Sequence, residues 1–490
     1  MSLGKKTAQG VFWNYVSFAG GKFLTFISTI ILARLGLGPD QFGQVAIALL
    51  AITYLDAIGD LGIAAALIYQ RDDVERAAQV AFSISVAMGI VLWGLATLLA
   101  PFVGAYFGEP GAVPMLRVLA VTLLIQSFGN VHMALLSKEL EFRRKLLPDL
   151  SRNFAKGFGA IGLALLGFGP WSLIWGQVLS AFAATIALWI VQPWQPRLLW
   201  DTRLGKQMLS YGLQILGIEI LAVFWSTADY VMVGRYLGKT ELGLYQTAFR
   251  ISDLLIINMC IVAGRVLFPS YAKLSHDHHA LRRGFLTTLR YISLITLPVS
   301  IGLAAIAPFF VSIFFGAEWL LMIPALALLA LRAGLSTLSF NSGHLFKAIG
   351  RPDIVNKEMI AKLAVLLLVV WLTVPYGFVA VALGQIGVAL FSVALDLGIS
   401  VRVLKVTPAA IWQQLRSALL GALVMGAAVW TVVVSTPRGW DLLGLIGAIV
   451  VGIVSYAAVL WMTERKLLLD SLRSIVQLVR PTQPAIGKSS

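Results

Sequence analysis

The chain alternates between long apolar stretches and short breaks that are rich in glycine, proline and charged residues. Most stretches are long enough for a helix to cross the hydrocarbon core of a bilayer, which takes about 20 residues. The pattern predicts an all-α, polytopic membrane protein with about fourteen transmembrane helices. The predicted spans are residues 11–33, 42–69, 77–106, 113–137, 146–168, 171–191, 208–236, 242–271, 284–315, 319–346, 354–374, 378–401, 411–435 and 441–462.

Composition supports this prediction, because 59% of the 490 residues are hydrophobic and only 12% are charged. A soluble domain carries roughly 25% charged residues. No soluble fold could bury so much apolar surface, so lipid must be the solvent for most side chains. The single cysteine, Cys260, excludes a disulfide framework and a four-cysteine metal site. The histidine-rich turn at 276–279 lacks a clear fourth ligand, so we expect no metal site there.

Positive charge is distributed unequally between alternate loops. With the N-terminus inside, about 25 lysine and arginine residues fall on the cytoplasmic side and about 5 on the opposite side. The positive-inside rule therefore predicts that both termini are cytoplasmic. The same distribution accounts for the net charge of +15 without nucleic acid, since the basic loops face anionic lipid.

Two short motifs recur about 200 residues apart and indicate an internal duplication. The sequence Gly-Pro-Asp-Gln-Phe-Gly at 38–43 is echoed by Gly-Lys-Thr-Glu-Leu-Gly at 238–243. A Gly-Gln pair at 176–177 is echoed at 384–385. Both copies fall on the same membrane side, which predicts two six-helix lobes related by an axis along the membrane normal. The predicted units are the first lobe at 1–200, the second lobe at 201–405, two appended helices at 406–463 and a cytoplasmic tail at 464–490.

Polar residues inside the spans fall on single helical faces in both lobes. Charges within a membrane span usually face a bundle interior or a wet cavity, so these faces predict a polar cavity between the lobes. The candidate lining residues are Asn14, Lys22, Thr25, Thr29, Asp56, Asp60, Glu219, Asp229, Arg250 and Arg332. Lys22 and Arg332 are favoured, because neither has an acidic neighbour three or four positions away on its own helix.

Structural roles remain open for several of these groups. Arg250 and Asp253 are spaced to pair with each other, and Asp229 could belong to a packing network. Five further cations lie within about three turns of the predicted cytoplasmic ends and are expected to extend to the interface, as long side chains do. These five are Arg152, Lys156, Arg265, Arg290 and Lys362.

Several segments resemble the polysaccharide-export flippases of the multidrug, oligosaccharidyl-lipid and polysaccharide exporter superfamily. They are Asp-Leu-Gly-Ile-Ala-Ala-Ala-Leu-Ile at 60–68, Leu-Glu-Phe-Arg-Arg at 140–144, Ala-Asp-Tyr-Val-Met-Val-Gly-Arg-Tyr-Leu-Gly at 228–238, Phe-Pro-Ser-Tyr at 268–271 and Gly-Arg-Pro-Asp at 350–353. The resemblance covers most of the first twelve spans, and two additional spans also fit that family.

This resemblance implies a bacterial inner-membrane transporter, not an enzyme, that moves an undecaprenyl-pyrophosphate-linked oligosaccharide by alternating access. Lys22, Arg250 and Arg332 match the cationic residues that such proteins use for the pyrophosphate. Three roles stay open for Asp56, Asp60, Glu219 and Asp229: coupling to a proton or sodium gradient, binding of sugar hydroxyls, or structural pairing. Expected partners are the lipid-linked substrate, membrane lipids, a polysaccharide polymerase and a chain-length regulator, and no cofactor is expected.

Three other functions are compatible with parts of the sequence. A drug or cation antiporter of the same superfamily would favour an acidic cavity with aromatic walls. A peptidoglycan-precursor flippase would share the architecture and differ only in substrate. A membrane glycosyltransferase or polymerase is disfavoured, because no segment between predicted spans is long enough for a large catalytic domain.

Overall fold

The computed structural model describes residues 20–59, 62–70, 72–139, 141–437 and 439–465, and every regular element in them is a helix. Within these ranges the α-helices are α1 (described from 20 to 34), α2 Pro39–Gly59, α3 Ile63–Tyr69, α4 Val74–Phe107, α5 Ala112–Lys138, α6 Phe142–Leu165, α7 Trp171–Val191, α8 Thr202–Leu237, α9 Lys239–Ser252, α10 Asn258–Leu274, α11 His278–Phe314, α12 Ile323–Ala348, α13 Pro352–Thr373, α14 Phe378–Leu404, α15 Pro408–Ser435 and α16 Asp441–Thr463. A π-helical segment, Asp253–Ile257, joins α9 to α10. Short 3₁₀ turns precede α12 and α14.

Ten helical stretches among the described residues are long and apolar enough to cross a membrane. The other four predicted spans coincide with α1, α6, α8 and the α9–α10 pair. These four carry many of the polar and charged residues that were predicted to line a cavity, and charged helices need a protein or water environment within the bilayer. The chain is therefore a multi-pass membrane protein, and the count of fourteen spans stays a prediction.

Local sequence sets where several helices begin and end. Asp201, Asp277 and Thr407 accept hydrogen bonds from backbone amides in the first turns of α8, α11 and α15. Such caps satisfy amides that have no partner within the helix. Gly108 ends α4 with a φ of 66°, a left-handed conformation that glycine adopts without strain.

The two copies of the repeated motif touch where α2 crosses α9. A β-carbon on Gly43 would lie 1.7 Å from the carbonyl oxygen of Lys239, and one on Gly243 would lie 1.9 Å from that of Pro39. Backbone carbonyls cannot move aside as a flexible side chain can, so both positions require glycine. Each copy thus packs on the first turn of the other, and the duplication into two lobes stays a prediction.

Further contacts join the first half of the chain (α1–α7) to the second (α8–α14) on this same side, which is the predicted periplasmic side. Lys239 Nζ lies 3.1 Å from Glu109 Oε2. The Phe42 ring meets Trp319 edge to face, with centroids 5.2 Å apart. The Arg34 guanidinium donates to the carbonyl of Ser312 at 2.9 Å, at the end of α11 where carbonyls lack helical partners. The halves are therefore joined at their predicted outer ends.

Helix α8 contacts both halves. Near its start, Met208 belongs to a buried cluster with Ile63 and Val80 of the first half. Near its end, Val233 belongs to a large buried cluster with Leu242 of α9. The connector before α8 is held on the first half, because Leu199 N donates to Ser83 Oγ at 2.8 Å.

The appended helices α15 and α16 pack on the second half through α11. Ala418 of α15 is buried against Leu294 and Leu297 of α11. The Tyr456 hydroxyl of α16 donates to the carbonyl oxygen of Leu294 at 2.7 Å. These two helices thus extend the second half.

Candidate functional site

Four cations from both halves form a group that we call the cationic cluster: Lys22 of α1, Arg152 and Lys156 of α6, and Arg250 of α9. Lys156 is its half-buried centre, and the charges of the other three act on it. The other three side chains are exposed. This grouping was not apparent from the sequence, which predicted that Arg152 and Lys156 extend to the interface.

Close helix packing sets the position of α1 beside α6. A β-carbon on Gly21 would overlap the side chain of Asn153, and one on Gly157 would lie 2.6 Å from Ser28 Oγ. Small residues let two backbones approach closely in a membrane. Lys22 is therefore held beside Arg152 and Lys156, which lie four residues apart on one face of α6.

Two members of the cluster lack a carboxylate partner among the described residues. Within the described part of the chain, neither Lys156 nor Arg250 has a carboxylate within 4.0 Å, and Arg152 has Asp149 as a neighbour on its own helix. Two like charges 4 Å apart repel by about 4 kcal/mol at an effective dielectric constant of about 20. An anion bound among these cations would relieve that repulsion, so the cluster is suited to a polyanion.

Arg332 was predicted to be an isolated cation, but it is paired across helices. Its Nη1 lies 2.6 Å from Asp253 Oδ1 in the π-helical segment, and its guanidinium lies over the Phe249 ring at 4.1 Å. The side chain of Arg332 is 15% exposed and that of Asp253 is 36% exposed. Asp253 thus pairs with Arg332 and not with Arg250, the partner that the sequence spacing had suggested.

Asp229 belongs to a buried hydrogen-bond network. Its Oδ2 accepts from the Tyr245 hydroxyl and from Gln385 Nε2, both at 2.8 Å, and its Oδ1 accepts from the backbone amide of Tyr230 at 2.9 Å. The network links α8, α9 and α14. Only 2% of Asp229 is exposed, so its observed contacts are those of a packing group, one of the alternatives that the sequence left open.

A cavity of about 410 Å³ opens within the second half beside the Arg332–Asp253 pair. Its lining includes Trp225, Asp253, Arg332, Ser336, Lys362 and Asp396. We call it the second-half cavity. Tyr230 of α8 lies within electrostatic range of Arg332 on the cavity wall and of Arg250 in the cationic cluster.

Lys362 and two carboxyl groups meet on the wall of this cavity. Lys362 Nζ lies 2.5 Å from Asp396 Oδ1 and 3.9 Å from Glu358 Oε2. The expectation that Lys362 extends to the interface is therefore wrong, because its side chain is 16% exposed and turned toward α14. The ion pair with the buried Asp396 carboxylate holds the lysine side chain inside the protein and away from the lipid headgroups.

The remaining predicted residues have varied surroundings. Asp56 is exposed on α2 and lines a small polar cavity of about 150 Å³ with Gln126 and Asn130. The hydroxyls of Thr25 and Thr29 donate to carbonyls one turn earlier in α1, and Glu219 is half-buried on α8. Two other predicted residues, Asn14 and Asp60, lie outside the described residues.

Lys156, Asp253, Glu358 and Lys362 were not among the predicted site residues. Four-residue spacing joins Arg152 to Lys156 and Glu358 to Lys362, and this was the available signal for two of the groupings. Nothing in the sequence pairs Asp253 with Arg332, since 79 residues separate them.

Fold and site together define a multi-pass helical membrane protein with charged groups gathered at an internal cavity, which is the architecture of a membrane transporter. The chain also matches the model of one protein family, described as polysaccharide biosynthesis protein, over residues 31–324. It therefore belongs to that family, and the predicted relation to membrane proteins of polysaccharide biosynthesis is confirmed.

Individual relatives and one solved structure agree with this assignment. The succinoglycan biosynthesis transport protein ExoT of Rhizobium meliloti (strain 1021) is 29% identical over 68% of this chain and 67% of its own length. The teichuronic acid biosynthesis protein TuaB of Bacillus subtilis (strain 168) is 26% identical over 72% and 73%. The lipid II flippase MurJ, in an inward closed conformation, covers 93% of this chain and 99% of its own at a TM-score of 0.78 and 14% identity. The last similarity shows a shared fold.

Proposed function

We propose that this protein is a flippase that moves an undecaprenyl-pyrophosphate-linked oligosaccharide from the cytoplasmic to the periplasmic leaflet of the bacterial inner membrane. The repeat unit would then enter exopolysaccharide, capsule or O-antigen assembly. The observation that carries the proposal is the cationic cluster, in which both halves place positive charge around Lys156. Family membership supports the same conclusion.

The cluster suits the headgroup of such a lipid. A pyrophosphate linked at both ends carries two negative charges, and lysine and arginine are the usual protein ligands of phosphate oxygens. Sugar hydroxyls and phosphates lose several kcal/mol for each group left unsatisfied in hydrocarbon. A polar cavity with fixed cations removes that penalty, while the polyprenyl chain remains in lipid.

The arrangement of contacts supports alternating access as the mechanism. The cluster draws on α1 and α6 of the first half and on α9 of the second, so its geometry changes when the halves rock. The glycine crossing of α2 and α9 supplies a contact on the predicted outer side that such rocking would open. We retain two six-helix lobes, fourteen spans and cytoplasmic termini as parts of this proposal. Association with a polymerase and a chain-length regulator is likewise proposed.

The cationic cluster disfavours one of the two alternative transport functions. A drug or cation antiporter would bring a positive substrate into the cavity, and the cluster would repel it. A peptidoglycan-precursor flippase would carry the same pyrophosphate group, so the site does not distinguish it. The names of the relatives favour a secreted polysaccharide over a peptidoglycan precursor.

The proposal is tested by the binding of undecaprenyl pyrophosphate to the purified protein in lipid nanodiscs. We expect Lys156→Gln and Arg250→Gln each to weaken binding about tenfold or more, because a charged partner of a phosphate is removed. The control is Arg283→Gln, which removes an exposed arginine near the start of α11. Equal affinity in all four proteins would contradict the proposal, as would tight binding of an organic cation at the same site.

A further inference from the structure

Glu358, Lys362 and Asp396 form a group that we call the buried triad. The first two lie one turn apart on α13, and the third lies on α14. Glu358 is 5% exposed and Asp396 is 2% exposed, although both line the second-half cavity. Two acidic groups and one ammonium are thus held together with little exposed surface.

The charges of the triad do not balance when all three groups are ionised. Two carboxylates and one ammonium leave a net charge of −1, and a buried uncompensated charge costs several kcal/mol. Lys362 is close to Asp396 and more distant from Glu358. Among the described residues, Glu358 Oε1 has no hydrogen-bond partner, so Glu358 carries the uncompensated oxygen.

A proton fits this site better than a metal cation. Asp396 and Glu358 approach the same ammonium, at 2.5 and 3.9 Å, and their charges act on each other. Two carboxyl groups can share a hydrogen bond only if one carries a proton. The Lys362 ammonium already lies within 4 Å of both carboxyl groups and would repel a second cation there.

We propose that the buried triad is a proton-binding site in which the Glu358–Asp396 pair takes up one proton, and that its occupancy is linked to binding of the anionic headgroup at the cationic cluster. The part of this inference that concerns the substrate rests on the proposed function. Protonation forms one O–H bond with a proton from water and changes the charge of the triad from −1 to 0. An anion nearby favours the neutral form, so substrate and proton should bind together.

Other charged groups surround the triad and must be considered in any pH effect. Arg332 of α12 and Asp253 of the π-helical segment share the cavity with it. Glu219 is on α8, which also packs against α13, and His344 and Lys347 are on α12. The charges that act on Glu358 in the described structure are those of Asp396 and Lys362. Substituting Glu358 alone therefore removes the pH effect of the triad and leaves the other charged groups in place.

The proton is tested directly by infrared spectroscopy of the protein in nanodiscs, which requires no substrate. We expect a carboxylic acid C=O band at neutral pH in the wild type, its loss in Glu358→Gln, and a changed band in Asp396→Asn. Glu318→Gln, which removes an exposed carboxyl group on the predicted outer side, should leave the band unchanged. A band that disappears when sodium replaces potassium would overturn the proposal in favour of a sodium site, and so would the absence of a Glu358-dependent band.

Linkage to the substrate is tested by undecaprenyl pyrophosphate affinity at pH 6 and pH 8. We expect the wild type to lose about fivefold more affinity over this interval than Glu358→Gln, whose amide imitates the neutral carboxyl group. Equal pH dependence in both proteins would contradict the linkage. If the lipid fails to bind to the wild type while the infrared band is present, the proposed substrate is wrong and the proton site stands.

Discussion

Single charged residues in this protein acquire their roles from neighbours that are remote in the sequence. Arg332 lies against Asp253 and the Phe249 ring, which neutralise and cover a cation that sequence inspection found isolated. Arg250, which has an acidic residue three positions away, contributes its charge to the cationic cluster instead. Of the two arginines, Arg250 is therefore the more available to an anionic ligand.

The Arg332–Asp253 pair is expected to stabilise the second half. Arg332→Met and Asp253→Asn should each lower the free energy of unfolding by about 1–3 kcal/mol, because each leaves a partly buried charge without its partner. The double variant should lose less than the sum of the two, as coupled residues do. Thermal unfolding in detergent measures all three variants, and strictly additive losses would show that the contact contributes nothing.

Residue-level prediction from the sequence succeeded in finding which spans carry charge and failed in assigning partners. Lys22, Arg250 and Arg332 were identified because charge inside a span is costly on any helix. Lys156 and Lys362 were expected to extend to the interface, because their distance to a helix end can be counted in the sequence. The carboxyl groups or cations that a neighbouring helix places beside them cannot be read from it. Pairings such as Asp253 with Arg332 depend on helix packing, which one-dimensional periodicity does not determine.

At the scale of elements, close helix crossings and helix caps determine how the halves meet. The repeated glycines were recognised in the sequence as evidence of duplication. Their contact with each other across α2 and α9 could be found only in the structure. Helix existence and approximate bounds followed from the apolar pattern, while the π-helical segment did not.

The glycine crossing should not tolerate a larger side chain. Gly43→Ala and Gly243→Ala should each lower the free energy of unfolding by about 1–3 kcal/mol, since a methyl group would overlap a backbone carbonyl. Gly94→Ala is the matched control, because its β-carbon would meet nothing within 4 Å. Equal melting temperatures for the three variants would show that α2 and α9 do not approach so closely.

The start of α8 should depend on pH through Asp201. Amide donation from Leu204, and then the Arg76 guanidinium at 2.7 Å, hold the pKa of Asp201 below its ordinary value. A lowered folded-state pKa gives stability that is present above the unfolded pKa, about 4, and is lost as the pH falls through the lowered value. Melting curves from pH 3 to 7 should show a smaller acid-induced loss for Asp201→Asn than for the wild type, and identical acid dependence would contradict this assignment.

At the scale of the whole molecule, the two halves meet at their predicted outer ends and along α8, and both contribute to one charged region. Composition was sufficient to predict a multi-pass helical protein, and ordered motifs were sufficient to predict the family. The grouping of Lys22, Arg152, Lys156 and Arg250 required the tertiary structure. Because these cations lie together, the structure leads to the hypothesis that the transported molecule has an anionic headgroup.

Translocation by the purified protein tests this central claim most directly. The measurement is transfer of a fluorescent undecaprenyl-pyrophosphate-linked oligosaccharide between the leaflets of proteoliposomes, with protein-free vesicles as the baseline. The account predicts transfer by the wild type and by Arg283→Gln, and a reduction of about tenfold or more in Lys156→Gln and Arg250→Gln. Wild-type transfer at the protein-free rate, or full transfer by both cluster variants, would contradict it.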